Sequence, residues 1–465
     1  MSGSRWPEEM APRLEATVTW LRSLESWAAP VGGPWRAGWA PARLDVMGGI
    51  ADYSGALVAQ LPMAVGTICA LRSIGGPQLR LASQSIVGEE RFVEVDAAEV
   101  LRADSSNEVR ERLESAKAPR WSFYPLGVLY ELAAAGRWHS EAPGLEIAFH
   151  SDVPLGSGLA SSASIEIATA RALIPELRAE DAALNVARLC QRAENRVAGA
   201  ACGIMDQVAS LLGRRDHLLR LECRPHRIDG HTQVPKGVRF YAIDTGVKHS
   251  VGGSRYTSVR VAAFMGRRIL REILPGRAEL AHLTEVSAKQ WESVRSDVPE
   301  TMIGSEFLQR YGSTGDPVTT VSPEAVYTVR RATEHAIQEQ ERVESFLMAL
   351  NEVGGDSESE GLDRAGARMI ESHRSYGVNC QLGSKEADRV VERIEAEGRE
   401  HGCFGARITG GGCGGSVAVL ATPQSRQFLE RLVADLQRET GFQASLLEGS
   451  GPGAMEVPVV TVDAR

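Results

Sequence analysis

A glycine- and serine-rich segment that runs directly into a helical pattern is the most constraining feature of this sequence. Residues 153–166 read VPLGSGLASSASIE, and residues 164–173 carry enough alanine and leucine to predict a helix packed on a sheet. The first N–H groups of a helix are unpaired and its dipole adds partial positive charge there, so an anion can bind. Gly156 and Gly158 let the backbone approach such a ligand closely. The segment therefore predicts a phosphate-binding loop at the start of a helix.

The loop lacks the lysine that many phosphate-binding loops use. No lysine follows its glycines, so the G-x-x-x-x-G-K-[ST] spacing of a P-loop is absent. We therefore expect the phosphate charge to be met by backbone amides, hydroxyl groups and a metal ion.

The chain length and the net charge limit the classes of protein to which this sequence could belong. A chain of 465 residues is too long for one core, so two domains are expected. The net charge of -9 argues against a protein that binds nucleic acid in general. It does not argue against a small anionic ligand, because a local loop can bind ATP inside an acidic protein.

The sequence shows no signal for export or membrane insertion. Residues 56–71 are the most apolar stretch, but Gln60 and Pro62 within it favour paired strands over a membrane span. Acidic residues near the N-terminus interrupt any apolar run of a secretory signal. The seven cysteines are scattered without a C-x-x-C pair, which favours a reducing compartment. We expect a cytoplasmic protein with no membrane partner.

Helical and strand patterns alternate along the chain. Helical spacing appears in residues 12–27, 125–136, 164–173, 181–198 and 258–273. Short apolar runs broken by glycine predict strands in residues 36–81 and 238–243. The pattern indicates an α/β protein with helices between strands.

Three motifs occur in one order: APARLDVMGGIADYSG at residues 40–55, the loop at residues 154–164, and ITGGGCGGS at residues 408–416. Together they resemble the galactokinase branch of the GHMP small-molecule kinases. That resemblance implies a ribosomal-protein-S5-like N-terminal domain and a ferredoxin-like C-terminal domain, with the active site in the cleft between them. It suggests a helical extension in residues 1–35 and domains in residues 36–230 and 231–465.

The resemblance also implies a reaction, the transfer of the γ-phosphoryl group of ATP to a sugar hydroxyl. Asp206 matches the family aspartate that faces the attacking hydroxyl, and Arg43 matches the arginine beside it. Mg²⁺ is the expected metal, with Ser162 and Glu194 as its protein ligands by resemblance. Whether Asp206 removes the proton or only orients the hydroxyl stays open.

The remaining binding residues follow from the same resemblance. The ATP phosphates are assigned to Pro154, Gly156, Ser157, Gly158, Leu159, Ala160, Ser161 and Ser162. The sugar is assigned to Gly49, Ile50, Asp52, Gly203 and Tyr256.

Residues 49 and 50 depart from the galactokinase pattern. Galactokinases carry glutamate and histidine there and use them around the C6 hydroxymethyl group of galactose, whereas this sequence reads G-G-I-A-D-Y. L-Arabinopyranose has the same ring stereochemistry with hydrogen in place of that group. Burying the galactose C6 hydroxyl against Ile50 without a partner should cost about 1–3 kcal/mol. The GGIADYSG string itself resembles the kinase part of plant-type L-arabinokinases. We therefore expect L-arabinose 1-phosphate as the product and D-galactose as the alternative substrate.

Other interpretations stay open at this stage. Each motif alone has a structural explanation: Asp52 could shape a turn, Glu194 could be a solvated helix residue, and Asp206 could cap a helix. A sensor that binds ATP and sugar without catalysis would share the fold, although its relatives lose parts of the catalytic set that this sequence keeps. A kinase for a non-sugar alcohol would share the phosphate loop but would not explain Asp52 or Tyr256. The oligomeric state is not readable from the sequence.

Overall fold

The computed structural model describes residues 6–24, 32–139, 144–248, 254–276, 278–353 and 358–463. Its strands are β1 Trp35–Met47, β2 Leu57–Ile74, β3 Gln78–Ser83, β4 Phe92–Asp96, β5 Gly144–Ser151, β6 His217–Glu222, β7 Arg227–Gln233, β8 Arg239–Asp244, β9 Met302–Ile303, β10 Val326–Tyr327, β11 Cys403–Ile408, β12 Ser416–Ala421, β13 Ser445–Glu448 and β14 Val460–Val462. Its helices are α1 Ala11–Ser23, α2 Ala97–Leu101, α3 Ser106–Ser115, α4 Phe123–Ala134, α5 Ser161–Leu173, α6 Glu180–Ala193, α7 Met205–Leu212, α8 Ser254–Ile273, α9 Ala288–Val294, α10 Gly304–Tyr311, α11 Val329–Asn351, α12 Glu358–Val378, α13 Lys385–Glu397 and α14 Arg426–Thr440.

The first of the two main sheets contains strands from both ends of the chain. Its order is β14-β1-β2-β5-β3-β4, and β6 joins through β2 and pairs with β7. All these pairs are antiparallel except β3 with β5, which is parallel. The sheet is covered by α4, α5, α6 and α7, whose apolar residues share one core cluster with it.

The second main sheet is antiparallel, with the order β11-β12-β8-β13. Apolar residues of α8, α11, α13 and α14 form its core. The chain passes from the first sheet to the second between Gln233 and Arg239. The predicted architecture, with a sheet and helices in each half, is confirmed, although only the first sheet is mixed. The exact domain boundaries stay a prediction.

Strand β1 is the element that joins the two halves. Ala42, Leu44 and Val46 are completely buried in a cluster with Phe240 and Leu420 of the second sheet. Its register with β2 shifts between Pro41 and Arg43 and again between Asp45 and Met47. Such irregularities turn side chains out of the regular alternation and are common beside active sites.

The two ends of the described chain pack together on the first sheet. Trp6, Met10 and Leu21 form a cluster with β1 and with Val460. The indole N–H of Trp6 donates to the carbonyl oxygen of Pro458 at 2.8 Å. The predicted helix at residues 12–27 is α1, which ends at Ser23, and residues 25–31 lie outside the described residues.

No helix within the described ranges combines the length and the apolar character that a membrane crossing requires.

Candidate active site

The phosphate loop, residues 154–162, connects β5 to α5 and faces a cleft between the two halves. Gly156, Gly158 and Ala160 have positive φ angles of 70°, 76° and 58°. Ala160 precedes the first turn of α5, and no side chain caps that turn. The uncapped helix start therefore leaves N–H groups available to an anion in the cleft.

The predicted loop residues divide into two groups. Those that line the cleft are Gly156, Gly158, Ala160, Ser161 and Ser162. The other three support the loop from behind. The Ser157 hydroxyl donates to the Pro154 carbonyl oxygen at 2.8 Å, and the Leu159 carbonyl oxygen accepts from the backbone N–H of Arg43 at 3.0 Å.

The glycine-rich segment, residues 410–415, packs directly on the phosphate loop. A Cβ on Gly410 would lie 2.7 Å from the carbonyl oxygen of Gly158, and one on Gly415 would lie 2.7 Å from that of Ser157. Both glycines also have positive φ. Their lack of a side chain is therefore required for the second half of the protein to close one wall of the cleft.

Arg43 and Asp206 form an ion pair at the centre of the cleft. Arg43 follows the irregularity in β1 and is almost completely buried, whereas the Asp206 side chain, in the first turn of α7, is 19% exposed. Burial alone would lower the pKa of Arg43, but the nearby carboxylates of Asp206 and Asp45 raise it by a larger amount. The net shift is upward, and the guanidinium stays charged. The Nη2 atom of the Arg43 guanidinium pairs with Asp206, and its Nη1 atom donates to the Gly158 carbonyl oxygen at 3.4 Å. The arginine thus links the acidic group to the phosphate loop.

Asp52 is a buried carboxylate with an unused acceptor atom. It lines the cleft, is 4% exposed, and its Oδ1 atom has no hydrogen-bond partner. Burial, followed by repulsion from Asp206, raises its pKa to about 7. A ligand hydroxyl that donated to this oxygen would remove the unsatisfied state.

Gly203 is held against Asp52. A Cβ on Gly203 would lie 1.5 Å from Asp52 Oδ2, which is a severe overlap, and the φ angle of Gly203 is not positive. The absence of a side chain at this position is therefore required by space alone.

Ile50 and Tyr256 complete the apolar part of the cleft, but Gly49 does not line it. A Cβ on Gly49 would point away, to 2.1 Å from Asp45 Oδ2 and 2.1 Å from the Tyr376 hydroxyl. Asp45 is itself paired with the buried Arg407 at 3.1 Å. The structure thus separates the two neighbouring residues that the sequence suggested would act together.

Ser162 and Glu194 lie side by side, as a shared cation site requires. The Ser162 hydroxyl contacts the Glu194 carboxylate, which also accepts from the Gln207 amide at 2.6 Å. Burial raises the pKa of Glu194 to about 7, and Asp206 adds to this shift. A buried carboxylate next to a hydroxyl is a hard oxygen donor set that fits Mg²⁺. Among the described residues no group of three or more His, Cys, Asp or Glu side chains forms a metal cluster.

Two supporting elements were not foreseen. Gln207 bridges Glu194 to Glu166, whose carboxylate it contacts at 3.0 Å. Arg260 donates to the Cys202 carbonyl at 3.2 Å and is paired with Asp316 at 2.8 Å. In the sequence, only their positions beside predicted site residues could have indicated these two side chains. Gln207 follows Asp206 directly, and Arg260 is one helical turn after Tyr256.

Comparisons with known proteins identify the family of this chain. The family model of the GHMP kinases N terminal domain matches residues 124–214, and that of the GHMP kinases C terminal matches residues 357–437. The chain is 32% identical to an L-arabinokinase from Arabidopsis thaliana over 480 residues, which cover 89% of this chain and 45% of that protein. The chain thus spans less than half the length of this relative. It is 30% identical to a galactokinase from Streptomyces coelicolor, covering 93% of this chain and 96% of that one.

Solved structures support the same fold. A galactokinase from Lactococcus lactis complexed with galactose superposes with a TM-score of 0.74 at 20% identity, covering 97% of this chain and all of that one. A mevalonate kinase from Methanococcus jannaschii gives a TM-score of 0.53 at 12% identity, covering 94% of this chain. From the paired family models and the relative matched over nearly its whole length, we conclude that the chain belongs to the GHMP kinase family.

Proposed function

We propose that this protein is an ATP-dependent sugar 1-kinase that phosphorylates the anomeric hydroxyl of L-arabinose. The observation that carries the proposal is the Arg43–Asp206 pair, which lies between an uncapped helix start on one side and the pocket of Asp52, Ile50 and Tyr256 on the other. One side suits the phosphates of ATP and the other suits a small polyhydroxylated ring.

In this proposal Asp206 accepts a hydrogen bond from the attacking anomeric hydroxyl and orients it toward the γ-phosphorus. Arg43 pairs with Asp206 and meets the negative charge that develops on the transferred group. Backbone N–H groups at residues 160–162 bind the phosphate oxygens. Phosphoryl transfer needs mainly such alignment and charge compensation.

Ser162 and Glu194 are proposed to hold Mg²⁺ together with phosphate oxygens. The ion would neutralise charge on the phosphates. The contact of the Ser162 hydroxyl with the buried Glu194 carboxylate supports this assignment, because it brings two hard oxygen donors together at the start of α5.

The choice of sugar depends on Ile50. Its side chain is 2% exposed and faces the cleft, so a hydroxymethyl group buried there would lose its hydrogen bonds to water without gaining a partner from this residue. The similarity to an L-arabinokinase supports arabinose, and the similarity to galactokinases keeps D-galactose as the second candidate. We expect arabinose to be preferred by roughly tenfold to a hundredfold.

The test is a sugar screen with ADP release as the readout. Initial rates are measured with L-arabinose and D-galactose at equal concentration, for the wild-type protein and for Asp206→Asn, which is expected to be inactive. A preference for galactose would overturn the arabinose assignment. Binding of ATP and sugar without ADP release would favour a sensor over an enzyme, and full activity of Asp206→Asn would remove the mechanism proposed for Asp206.

A further inference from the structure

Ile50 has a backbone conformation that isoleucine rarely adopts. Its φ angle is +64°, in the left-handed region, where a β-branched side chain is strained. The neighbouring Gly48 also has a positive φ, of 100°. Residues 48–50, the glycine turn, therefore need support from their surroundings to keep the Ile50 side chain in the cleft.

Helix α11 supplies this support through two buried side chains. The N–H of Gly48 donates to Glu339 Oε1 at 3.3 Å, and the carbonyl oxygen of Gly49 lies 3.3 Å from His335 Nε2. His335 and Glu339 are one helical turn apart and are 1% and 0% exposed. Two backbone groups of the glycine turn, the Gly48 N–H and the Gly49 carbonyl, are thus held by one helix that lies about 290 residues further along the chain.

A second helix, α12, orients these two side chains. Ser375 Oγ lies 2.8 Å from His335 Nδ1, and Ser372 Oγ donates to Glu339 Oε1 at 2.6 Å. Burial lowers the pKa of His335 to about 4, so the imidazole is neutral at neutral pH. A neutral imidazole has one donor and one acceptor nitrogen. The Gly49 carbonyl can only accept, so Nε2 carries the proton and Nδ1 accepts from Ser375.

We propose that His335 and Glu339 are positioning residues for sugar selectivity, because they hold the glycine turn in the strained form that presents Ile50 to the sugar. The inference rests on the proposed function and extends it. Neither side chain lines the cleft, so both act through the turn and not by contact with the substrate. Loss of the His335 contact should let the turn relax and withdraw Ile50, which would open the corner of the pocket to a hydroxymethyl group.

The main test is His335→Phe, which keeps an aromatic ring of similar size and removes the hydrogen bond to Gly49. We expect the ratio of kcat/KM for L-arabinose to that for D-galactose to fall at least fivefold, with the KM for ATP unchanged. The ratio does not depend on the fraction of active enzyme, so a general loss of folded protein would not move it. His335→Gln retains a donor and should restore part of the ratio.

His373→Phe is the matched control. His373 is a buried histidine on α12 that accepts from the Ile408 N–H at 3.2 Å and does not contact the glycine turn. Its replacement should leave the ratio unchanged. If His335→Phe fails to fold, Ser375→Ala removes the partner of Nδ1 more gently and should shift the ratio in the same direction.

A double-mutant cycle with Ile50→Gly separates the outcomes. Glycine at position 50 has no side chain to present, so His335→Phe should have no further effect on the ratio in that background. Activity of the wild-type protein with neither sugar would overturn the proposed function itself. Activity with a ratio that His335→Phe leaves unchanged would overturn this inference alone.

Discussion

Replacement of Gly203 by alanine tests the proposed sugar pocket with a single methyl group. The added Cβ would lie 1.5 Å from Asp52 Oδ2 and 2.4 Å from its Cγ. Because ordinary contact begins near 3.4 Å, the carboxylate has to move by about 2 Å. The backbone of residue 203 is not in the left-handed region, so alanine adds no strain of its own there.

A displacement of this size would remove the hydrogen bond that, in the proposed function, a sugar hydroxyl donates to the Asp52 carboxylate. A hydrogen bond to a charged group contributes about 1.5–3 kcal/mol, which corresponds to roughly a 10- to 100-fold loss. We expect the KM for the sugar to rise by that factor while the KM for ATP changes less than twofold. The assay is ADP release at pH 8, where Asp52, with its pKa near 7, is mostly ionised.

Gly377→Ala is the control, since a Cβ at that position would meet no atom within 4 Å and its φ angle is not positive. In an Asp52→Ala background, Gly203→Ala should have little additional effect, because the overlapping atoms are gone. An unchanged KM for sugar in Gly203→Ala would refute the role of Asp52 as a sugar ligand.

Three further predictions concern other parts of the molecule. Arg43→Lys should lower kcat by about 10²–10³-fold, because lysine cannot bridge Asp206 and the loop together, and an unchanged kcat in the ADP assay would contradict this. The folded-state pKa of Glu194 is raised to about 7 from 4.5, so its contribution to stability is complete below pH 4.5 and is lost as the pH rises through 7. The free energy of unfolding of the wild-type protein should therefore fall between pH 5 and pH 7.5, and in Glu194→Gln this fall should be smaller by on the order of 2–3 kcal/mol. Urea titrations at the two pH values that show the same fall in both proteins would argue against a raised pKa for Glu194. Cys413 is partly exposed, whereas the other six cysteines are buried, all seven lying within the described residues. One thiol should therefore react first with a labelling reagent, and Cys413→Ser should abolish that phase.

The parts of the site that could be predicted from sequence are those carried by contiguous segments. The phosphate loop is one of these, since glycine spacing and a following helix are visible in a short window. Even there the helix begins at Ser161, three residues before the predicted start. The residue at that boundary, Ala160, adopts a positive φ angle, which an alanine in the sequence does not predict. The predicted helix at residues 181–198 ends at Ala193 and continues as a π-helix over Glu194–Ala198. That change of winding begins at Glu194, and local propensity does not encode it.

The parts that could not be predicted depend on contacts between distant segments. The motif suggested that Gly49 and Ile50 would face the sugar together, but the turn directs them to opposite sides. Position 49 meets Tyr376, which comes from a helix more than 300 residues away. A change of Gly49 to glutamate is therefore expected to disturb the packing of Asp45 and Tyr376 before it could add a sugar contact. No periodicity in the sequence carries that information, because it arises only when the two sheets are assembled.

The pairing of β14 with the outer edge of β1 has a consequence for biosynthesis. Trp35 is opposite Val462 in that pair, so this edge of the first sheet is unfilled until residues 460–462 have been synthesised. During synthesis the outer edge of β1 therefore stays unpaired until β14 is available. Unpaired strand edges are prone to intermolecular pairing and aggregation. Deletion of residues 458–463, which removes β14, should therefore lower the yield of correctly folded protein in cells.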